Sequence, residues 1–356
     1  MIRVLNLTTT AWRSFYQSQR TALESVGIEV TTLPVPGEHR AVDDEIRQRT
    51  IANYARYLPQ VLREARGEYD LIHANYGLTI PFALAASRCP SIGRSGRTNG
   101  RLPVVCTLWG GEYRANPYEP LIKRAVARTD RVIVPSNAMA ERVDCPCDVI
   151  PFPVDTEMFR PIPKTEARER VGWDQDTQIV LFPYAPSRDE KNFPLARRVV
   201  DGVAGVLESD SDSDSDADIT LKTVANEPYE EMPYYLNAAD AVILTSRFES
   251  GPMTVKEAAA CNTPVVARDV GFAREVLGDV SNASVTLGED NLVRDLARVL
   301  ESGEPSDGRE KLASYTAETM GERLRAVYEE CLAGEDRRQN SQSAQQTGVS
   351  PSLDGD

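Results

Sequence analysis

Residues 241–268 read AVILTSRFESGPMTVKEAAACNTPVVAR, and this stretch decides the fold of the second half of the chain. Two short apolar runs, 241–245 (AVILT) and 264–268 (PVVAR), flank a segment that carries Gly251 and Pro252 ahead of a helical stretch. The order strand, turn, helix, strand is that of a βαβ unit with parallel strands. Ligands of such sheets bind beyond the carboxyl ends of the strands, so a functional site is expected in the turn after the first strand.

The same alternation of apolar runs and helical stretches continues through the chain. In the first half it predicts strands at 2–7 (IRVLNL), 28–35 (IEVTTLPV), 70–75 (DLIHAN), 104–109 (VVCTLW), 131–135 (RVIVP) and 148–152 (DVIPF). In the second half it predicts strands at 178–184 (QIVLFPY), 219–224 (ITLKTV), 241–245, 264–268 and 283–287 (ASVTL). Strands that alternate with helices form parallel sheets covered on both faces. The predicted fold class is therefore α/β, with two doubly wound, Rossmann-like sheets.

A proline-rich stretch at 151–164 (PFPVDTEMFRPIPK) separates the two sets of strands. Prolines lack an N–H group and interrupt both helices and ladders, so we place the domain boundary there. The predicted division is a first domain at 1–152, a linker at 153–164, a second domain at 165–332 and a tail at 333–356. An amphipathic helix at 309–331 ends the second domain. The tail has no periodic apolar residues and is expected to be disordered.

Length and composition are those of a two-domain globular protein. The chain has 356 residues, of which 41% are hydrophobic and 26% are charged, close to ordinary usage in proteins that fold in water. No run approaches the roughly 18 apolar residues that span a bilayer. The start, MIRVLNLTTTAWRS, lacks the apolar stretch of a signal peptide. We therefore expect a cytoplasmic location.

The net charge of −14 is unevenly distributed. Residues 1–160 carry 20 basic and 17 acidic side chains, whereas residues 161–356 carry 20 and 37. An acidic protein repels nucleic acid, so nucleic acids are excluded as general partners. Only six of the 40 basic residues are lysine, which leads to the hypothesis of a halophilic host. Loss of activity at high salt but not at low salt would argue against that hypothesis.

The cysteines and histidines do not form a metal-binding pattern. Cys145 and Cys147 are spaced as CxC, and the only histidines are His39 and His73, so no zinc-ligand spacing occurs. The acidic repeat at 208–218 (ESDSDSDSDAD) is expected to be a solvated surface loop, with a cation site as the alternative. We therefore predict no metal site.

The turn after strand 241–245 exposes backbone N–H groups. Its glycine, Gly251, permits close approach of the backbone to a ligand, and Pro252 suits the first helical position. The N–H groups of Met253, Thr254 and Val255 then lack intrahelical partners. Such groups donate to an anion, so this turn is a candidate phosphate site.

Two glutamates flank the candidate phosphate site. Glu249 lies in the turn, and Glu257 lies eight residues later on the predicted helix. Each carboxylate has two oxygens that accept from adjacent hydroxyls, which suits a sugar at one end of the phosphates and a ribose at the other. The spacing alone leaves an alternative, in which the two glutamates occur eight residues apart by chance on a solvated helix and bind no ligand.

Four segments together carry a family signature. They are Glu249 to Glu257 with the following EAAACNTPVVARDVG, YEEMPYYLNAADAVILTS at 229–246, VIPFPVDTEMFRP at 149–161 and DLIHANYG at 70–77. In combination they resemble the E-x7-E motif, the preceding segment, the interdomain linker and the D-x-I-H strand of glycosyltransferase family 4. That family consists of retaining enzymes of the GT-B fold, in which two Rossmann-like domains face a cleft. The resemblance covers about residues 1–332.

The resemblance implies a role for each residue of the motif. Glu257 is implied to bind the donor ribose and Glu249 the transferred sugar, while Gly251 to Thr254 supply main-chain contacts. In the loop APSRDEKNFP, Lys191 and Arg188 are implied to face the diphosphate. Two cations there would neutralise charge on the departing nucleotide diphosphate.

The first domain departs from the family pattern. Trp109, Gly110, Gly111 and Glu112 stand where the family commonly has a His-Gly pair near the reacting sugar. Gly110 and Gly111 are expected to admit the diphosphate, and Trp109 either stacks on a sugar face or lies in the core. His73, on an apolar strand, is expected to be a core residue, with a ligand contact as the alternative.

The implied enzyme is a hexosyltransferase. It moves a hexose from a nucleotide diphosphate sugar to a glycan or lipid-linked acceptor with retention of configuration, in the assembly of N-glycans, surface layers or exopolysaccharides. The nucleotide sugar is a substrate, and we predict no cofactor and no metal. Two alternatives remain: a nucleotide-sugar epimerase of the same two-domain build, and a non-catalytic nucleotide-sugar-binding partner of another transferase.

Basic residues of the first domain indicate where an anionic acceptor binds. They are Arg88, Arg94, Arg97 and Arg101 in 87–101, which has no acid, and Lys123, Arg124, Arg128 and Arg131 in 120–131. A basic patch attracts anionic lipid head groups or a polyprenyl or dolichol phosphate. We therefore predict peripheral attachment to the cytoplasmic face of the membrane, with a solvated insert as the alternative.

Overall fold

The computed structural model of the protein describes most of the chain. The described residues are 1–9, 11, 14–37, 41–42, 45–46, 49–89, 101–113, 118–210 and 219–346. The chain divides into two compact units. The first comprises Met1–Val134, Val143–Ile150 and Gly321–Asp356, and the second comprises Pro135–Arg142 and Pro151–Met320.

The first unit is built on a parallel sheet. Its strands are β1 (Arg3–Thr8), β2 (Glu29–Pro34), β3 (Ala41–Val42), β4 (Glu45–Ile46), β5 (Leu71–Asn75), β6 (Val104–Thr107), β7 (Arg131–Val134) and β8 (Asp148–Val149). Six of them form one parallel sheet in the order β2-β1-β5-β6-β7-β8, and β3 pairs antiparallel with β4. The helices are α1 (Ser14–Ser25), α2 (Ile51–Glu64), α3 (Ile80–Ala86) and α4 (Glu119–Val126), with 3-10 turns at Gly77–Thr79 and Gly111–Tyr113.

The central strands of this sheet are buried on both faces. All five residues of β5 are buried, and Val4, Leu5 and Leu7 of β1 are fully buried. Helices on both sides of a parallel sheet bury such strands completely, which is why they appear in the sequence as continuous apolar runs. The predicted first Rossmann-like sheet is confirmed.

His73, in β5, is a hydrogen-bonded core residue. Its Nδ1 lies 2.6 Å from the hydroxyl oxygen of Tyr328, and its Nε2 lies 2.7 Å from Oγ1 of Thr107. Burial lowers the pKa of His73 to about 3, so the ring is neutral near pH 7. The structure gives this histidine the core role.

The second unit is built on a second parallel sheet. Its strands are β9 (Gln178–Phe182), β10 (Ile219–Thr223), β11 (Ala241–Leu244), β12 (Val265–Arg268) and β13 (Ser284–Thr286), in the order β10-β9-β11-β12-β13. The helices are α5 (Asn137–Ala140), α6 (Lys164–Val171), α7 (Phe193–Asp210), α8 (Met232–Ala238), α9 (Met253–Ala260), α10 (Ala273–Leu277), α11 (Glu289–Ser302) and α12 (Gly308–Lys311). Helix α13 (Ala317–Gln346) begins in this unit and belongs to the first unit from Gly321 onward. The predicted second Rossmann-like sheet is confirmed.

The topology of the second sheet brings two loops together. Strands β9 and β11 are adjacent and parallel, with Ala241 opposite Val180. The loops that follow them therefore leave the sheet at the same edge. The N–H group of Arg247 in the later loop donates to the carbonyl oxygen of Glu190 in the earlier loop at 2.9 Å. This pairing fixes the backbone around the predicted site.

The C-terminal helix differs from the predicted one. The predicted helix at 309–331 is divided into α12 and α13, and α13 continues past residue 333, where the sequence predicts a tail, to Gln346. No proline occurs between 333 and 346 to end the helix, and glutamine, arginine and alanine are frequent there. Residues 347–356 of the predicted tail lie outside the described residues.

The acidic repeat at 208–218 begins inside a helix. Helix α7 extends to Asp210, so the start of the repeat is not the loop that was predicted. The remaining residues, 211–218, lie outside the described part of the chain.

Gly321 lies where α13 packs closely against α1. A Cβ atom at this position would lie 2.1 Å from the carbonyl oxygen of Ala22. Gly321→Ala is therefore expected to lower the free energy of unfolding by about 1 to 3 kcal/mol, although alanine is the better helix former. Gly334→Ala, in the same helix, is the matched control, because no described atom lies within 4 Å of its added Cβ.

The control variant is expected to be neutral or stabilised by up to about 1 kcal/mol. Urea unfolding of both variants measures the difference in free energy. Equal midpoints for Gly321→Ala and Gly334→Ala would contradict the close packing of α13 on α1.

Candidate active site

Lys191 and Glu249 form a buried ion pair between the two loops. Lys191 ends a 3-10 turn, Asp189–Lys191, and its side chain is 7% exposed, against 14% for Glu249. Nζ of Lys191 donates to Oε1 of Glu249, and the hydroxyl of Ser246 donates to the same oxygen at 2.8 Å. Burial lowers the pKa of Lys191, and the Glu249 carboxylate opposes this shift. The structure thus brings together the predicted diphosphate-binding and sugar-binding residues.

Tyr184 connects this ion pair to helix α9. Nζ of Lys191 lies 3.9 Å from the centroid of the Tyr184 ring, in a cation–π contact. The hydroxyl of Tyr184 donates to Oγ1 of Thr254, in the first turn of α9, at 3.4 Å. Burial and the nearby Glu249 raise the pKa of Tyr184, so its phenol stays neutral.

Glu257 is buried on the second turn of α9. Its side-chain Oε1 accepts a hydrogen bond from the hydroxyl of Tyr229 at 2.6 Å. Burial raises the pKa of Glu257 to about 7, against hydrogen bonds from Tyr229 and Thr254. The carboxyl group therefore changes its charge near neutral pH. The alternative of two glutamates on a solvated helix is wrong, because α9 is buried from Thr254 to Ala260.

The start of α9 differs in detail from the prediction. Pro252 is the N-cap residue, with an extended ψ of 99°, and the first helical residue is Met253. The N–H group of Val255, predicted to be available to a ligand, donates to the carbonyl oxygen of Pro252 at 3.1 Å. Met253 and Thr254 have no carbonyl of a preceding helical turn to bond to. Their N–H groups are the two donors that the helix offers to an anion.

Gly251 and Gly271 are required by packing around this turn. A Cβ on Gly251 would lie 2.4 Å from the ring of Phe272, so the core excludes a side chain there independently of any ligand. Gly271 has a φ of +59°, and a Cβ there would lie 2.9 Å from Cδ of Pro252 and 3.2 Å from Cβ of Glu249. The sequence predicted a ligand role for Gly251 and did not identify Gly271.

Arg188, the second predicted diphosphate ligand, is half exposed and paired with an acid. Its guanidinium group donates to Oε1 of Glu190 at 2.7 and 2.9 Å and lies 5.7 Å from the centroid of the Tyr184 ring. Arg188 therefore lies at the same aromatic ring as Lys191. Its Nε and Nη2 atoms bond to Glu190, and the guanidinium group has further N–H donors for a phosphate.

In the first unit, a buried carboxyl group holds the loop after β6. Glu112 is fully buried, and its Oε1 accepts hydrogen bonds from the N–H groups of Gly77 at 3.0 Å and Trp109 at 3.2 Å. Burial raises the pKa of Glu112, and these main-chain hydrogen bonds oppose the shift. The sequence placed Glu112 in this loop but did not predict that it organises the backbone.

The backbone conformation of this loop requires a glycine at position 110. Gly110 has a φ of +97°, in the region that favours glycine. Trp109 beside it packs on Phe15, with ring centroids 4.4 Å apart. The predicted contact of Gly110 and Gly111 with the donor diphosphate stays a prediction.

The basic residues of the first unit are partly neutralised. Arg101 pairs with Asp130, Lys123 with Glu119, and Arg131 with Asp148 and Glu330. Arg94 and Arg97 lie outside the described residues, whereas Arg88 and Arg124 are exposed. The positive charge available to an anionic acceptor is therefore smaller than the sequence alone indicates. Within the described ranges, no helix has both the length and the apolar content that crossing a bilayer requires.

Three polar side chains of the site were missed in the sequence. Tyr184, Ser246 and Tyr229 each bond to, or lie against, a predicted site residue. Tyr184 and Ser246 stand at or just beyond the carboxyl ends of predicted strands, where ligand-binding residues collect. That position was the available signal for these two residues. As for metals, no three His, Cys, Asp or Glu side chains of the described residues are grouped so as to hold an ion.

Two sequence families match the chain. The family described as "Glycosyl transferase 4-like domain" matches residues 3–145. The family described as "Glycosyl transferases group 1" matches residues 219–319, which include both glutamates of the site.

Curated relatives are similar over more than half of the chain. D-inositol 3-phosphate glycosyltransferase 1 of Catenulispora acidiphila is 28% identical over 283 residues, covering 69% of this chain and 65% of that protein. The D-inositol 3-phosphate glycosyltransferase of Frankia alni is 27% identical over 261 residues, covering 63% of each protein. The chain thus spans less than two thirds of the length of these two relatives.

Solved structures share the fold. Sucrose-phosphate synthase from Thermosynechococcus elongatus has a TM-score of 0.66 at 17% identity, covering 94% of this chain and 100% of that chain. Anabaena HepE, solved in complex with UDP and glucose, has a TM-score of 0.62 at 15% identity, covering 92% of this chain and 99% of that chain. The predicted GT-B fold is confirmed, and from both family matches the chain is a member of glycosyltransferase family 4.

Proposed function

We propose that this protein is a glycosyltransferase that moves a hexose from a nucleotide diphosphate sugar to a hydroxyl group of a glycan or lipid-linked acceptor. The observation that carries the proposal is the chain of contacts from Glu249 through Lys191, Tyr184 and Thr254 to Glu257. At one edge of one sheet it provides a desolvated cation and, at either end, a carboxyl group. A nucleotide diphosphate sugar has the matching order of groups: ribose, diphosphate, sugar.

In the proposed complex each group binds the part of the donor that its chemistry suits. The ionised carboxylate of Glu257 accepts hydrogen bonds from the ribose hydroxyls, and that of Glu249 accepts from hydroxyls of the sugar. Lys191 and the N–H groups of Met253 and Thr254 contact the diphosphate. A cation already removed from water acts more strongly on a phosphate than an exposed one does.

Catalysis then consists mainly of stabilising the leaving group. The bond between the anomeric carbon and the phosphate oxygen breaks, and its electron pair stays on the diphosphate. Lys191 and Arg188 stabilise that charge, so the proposed reaction is metal-independent. The acceptor oxygen bonds to the anomeric carbon on the face that the diphosphate leaves, and its proton passes to the departing phosphate oxygen. This course retains the configuration, as the family resemblance implies.

The names of similar proteins support glycosyl transfer and a uridine diphosphate sugar as the donor. Two relatives are named as glycosyltransferases that act on D-inositol 3-phosphate, and one structural neighbour was solved with UDP and glucose. Uridine diphosphate sugars are therefore the first donors to test. We place the reaction in the cytoplasm, in the assembly of a cell-surface glycan.

Lys191→Ala is expected to lower kcat/KM for transfer by about 10² to 10³-fold, because the departing diphosphate loses its buried cation. The variant is expected to fold, with a lower melting temperature than the wild type, because Glu249 loses its buried partner. Release of nucleotide from a panel of nucleotide sugars, with and without acceptor, measures the effect. Lys164→Ala is the matched control, since the Lys164 side chain is 45% exposed and pairs with Asp240 away from the proposed site residues.

Full-rate transfer by Lys191→Ala would contradict the assignment. The same panel separates the other readings of the fold. An altered sugar on the donor would show an epimerase, and binding without turnover would show a non-catalytic partner.

Glu257→Gln is expected to weaken donor binding by about tenfold or more, because an amide accepts with one atom where a carboxylate accepts with two. It is also expected to stabilise the fold at alkaline pH. The folded-state pKa of about 7 lies above the ordinary value of 4.5, so ionisation of Glu257 destabilises the folded protein. This cost is absent below about pH 4.5, grows as the pH rises, and is complete above about pH 7.

The glutamine variant should therefore gain about 2 to 4 kcal/mol over the wild type at about pH 8, and much less at about pH 5. Melting temperatures across this range, with titration calorimetry for donor affinity, check both effects. A stability difference that does not change with pH would show that Glu257 is not the buried titrating group.

The membrane proposal predicts that the protein sediments with anionic vesicles at working salt but not with neutral ones. Tyr118 and Leu121, at the start of α4, are 51% and 56% exposed, and Arg124 of the same helix is exposed. Arg124→Glu is expected to reduce binding several-fold, whereas Arg131→Gln, at a residue already paired with acids, is the control with little effect. If the protein fails to sediment with anionic vesicles, the membrane proposal is wrong.

A further inference from the structure

Lys256 is a fully buried lysine that the proposed reaction does not use. It lies on α9 beside Glu257. Its Nζ donates to the carbonyl oxygen of Phe152 at 2.5 Å and lies 4.0 and 4.5 Å from the ring centroids of Phe272 and Tyr315. Within the described part of the chain, one carbonyl and two ring faces therefore surround the ammonium group.

Such surroundings are costly for a charge. A buried ammonium group without a carboxylate partner destabilises a fold relative to an apolar side chain of similar volume. Burial accordingly lowers the pKa of Lys256 to about 7. Methionine would fill the same space without this cost, so packing alone does not account for a lysine here.

The contacts of Lys256 lie on the two segments by which the chain enters and leaves the main part of the second unit. Phe152 directly follows the crossing at residue 151, and Tyr315 lies shortly before the crossing at residue 321. The ammonium group therefore attaches helix α9 to both segments.

The charge of Lys256 also acts on its neighbour. The carboxylates of Glu275 and, to a smaller extent, Glu257 raise the pKa of Lys256, and the ammonium in turn lowers the pKa of Glu257. The ionised form of Glu257 is the one that accepts ribose hydroxyls on both oxygens. Loss of the cation would leave a larger share of Glu257 protonated at neutral pH.

We infer that Lys256 is a positioning residue of the donor site, which fixes α9 to the crossing segments and keeps Glu257 ionised for the ribose of the nucleotide. The inference rests on the proposed function. It assigns to Lys256 the control of the pH range over which the donor binds. Lys256 itself does not touch the donor.

Other titratable groups face this pair. They are Tyr184, Tyr229 and Cys261 beside Glu257, and Glu275 and Tyr315 beside Lys256. Burial raises the pKa values of Tyr184, Tyr229 and Cys261 far above neutral, so these three stay uncharged in the range tested. Glu275, whose Oε1 accepts from the N–H group of Asn137 at 3.0 Å, is tested separately as Glu275→Gln.

The experiment uses Lys256→Met and Lys256→Gln, with Lys164→Met as the matched control on an exposed lysine. UDP-glucose, GDP-mannose and ADP-glucose are titrated into the wild type by calorimetry from about pH 5.5 to about pH 9. The donor that binds most tightly is then used for every variant. Glutamine keeps a hydrogen-bond donor for the Phe152 carbonyl but lacks the charge. It therefore separates the attachment of α9 from the effect of the charge on Glu257.

In both Lys256 variants the acid limb of donor binding is expected to move to higher pH by about half a unit or more, because Glu257 takes up a proton more readily without the cation. Affinity at about pH 6.5 is expected to fall on the order of tenfold, and further in Lys256→Met than in Lys256→Gln. Lys164→Met is expected to keep the wild-type profile, and Glu275→Gln is expected to move it less than Lys256→Met does, because it weakens the charge of Lys256 without removing the lysine. A purely structural lysine would not move a pH profile.

The outcomes distinguish a failure of the inference about Lys256 from a failure of the proposed function. Unchanged pH profiles in both Lys256 variants would overturn the inference and leave the proposed function intact. A shift in Glu275→Gln equal to that of Lys256→Met would assign the control to Glu275 and overturn it as well. If neither Lys256 variant folds, Lys256 is required for folding only, and the inference is overturned. If none of the nucleotide sugars binds the wild type, the proposed function fails, and the inference fails with it.

Discussion

The ion pair of Lys191 and Glu249 is the interaction on which the rest of the site depends. It joins loops 58 residues apart in the chain that follow neighbouring parallel strands. Charges removed from water destabilise a protein unless they are paired, so each of the two residues holds the other in place when no donor is bound. In the proposed complex a diphosphate offers Lys191 a second partner. The carboxylate then becomes available to the hydroxyls of the sugar.

The two glutamates of the motif differ in their surroundings more than in their chemistry. Glu249 accepts from a lysine and from a serine hydroxyl, so its charge is directly compensated. Glu257 accepts from a phenol and depends for its ionisation on hydrogen bonds and on the neighbouring Lys256. In the proposed complex, the residue that binds the sugar would therefore be held by an ion pair, and the residue that binds the ribose would respond to pH.

Features with a local sequence pattern were predictable. The strands appear as apolar runs, and the turn before α9 appears as a glycine and a proline between two glutamates of fixed spacing. Lys191 was found because it follows a strand and matches the family. The strand-end position of Tyr184 was a signal for the residue, but its contacts and those of Tyr229 were not found, because a contact between distant segments leaves no pattern in either segment. The same reason hid the pairing of Arg131 with Glu330, which lies 199 residues away.

Other differences arise where two local preferences compete. Pro252 was expected inside the helix and caps it instead, because its extended ψ suits the turn that positions Glu249. Gly251 was assigned to a ligand, whereas the ring of Phe272 already excludes a side chain at that position. In both cases the sequence identified the residue correctly. The packing that determines its role lies elsewhere in the chain.

A crystal structure of the protein with a bound nucleotide diphosphate sugar tests the central claim most directly. We expect the ribose hydroxyls within hydrogen-bond distance of Glu257, and the diphosphate within reach of Nζ of Lys191 and the N–H groups of Met253 and Thr254. A donor bound at another place in the molecule, with Glu257 and Lys191 making no contact to it, would contradict the function proposed for this site.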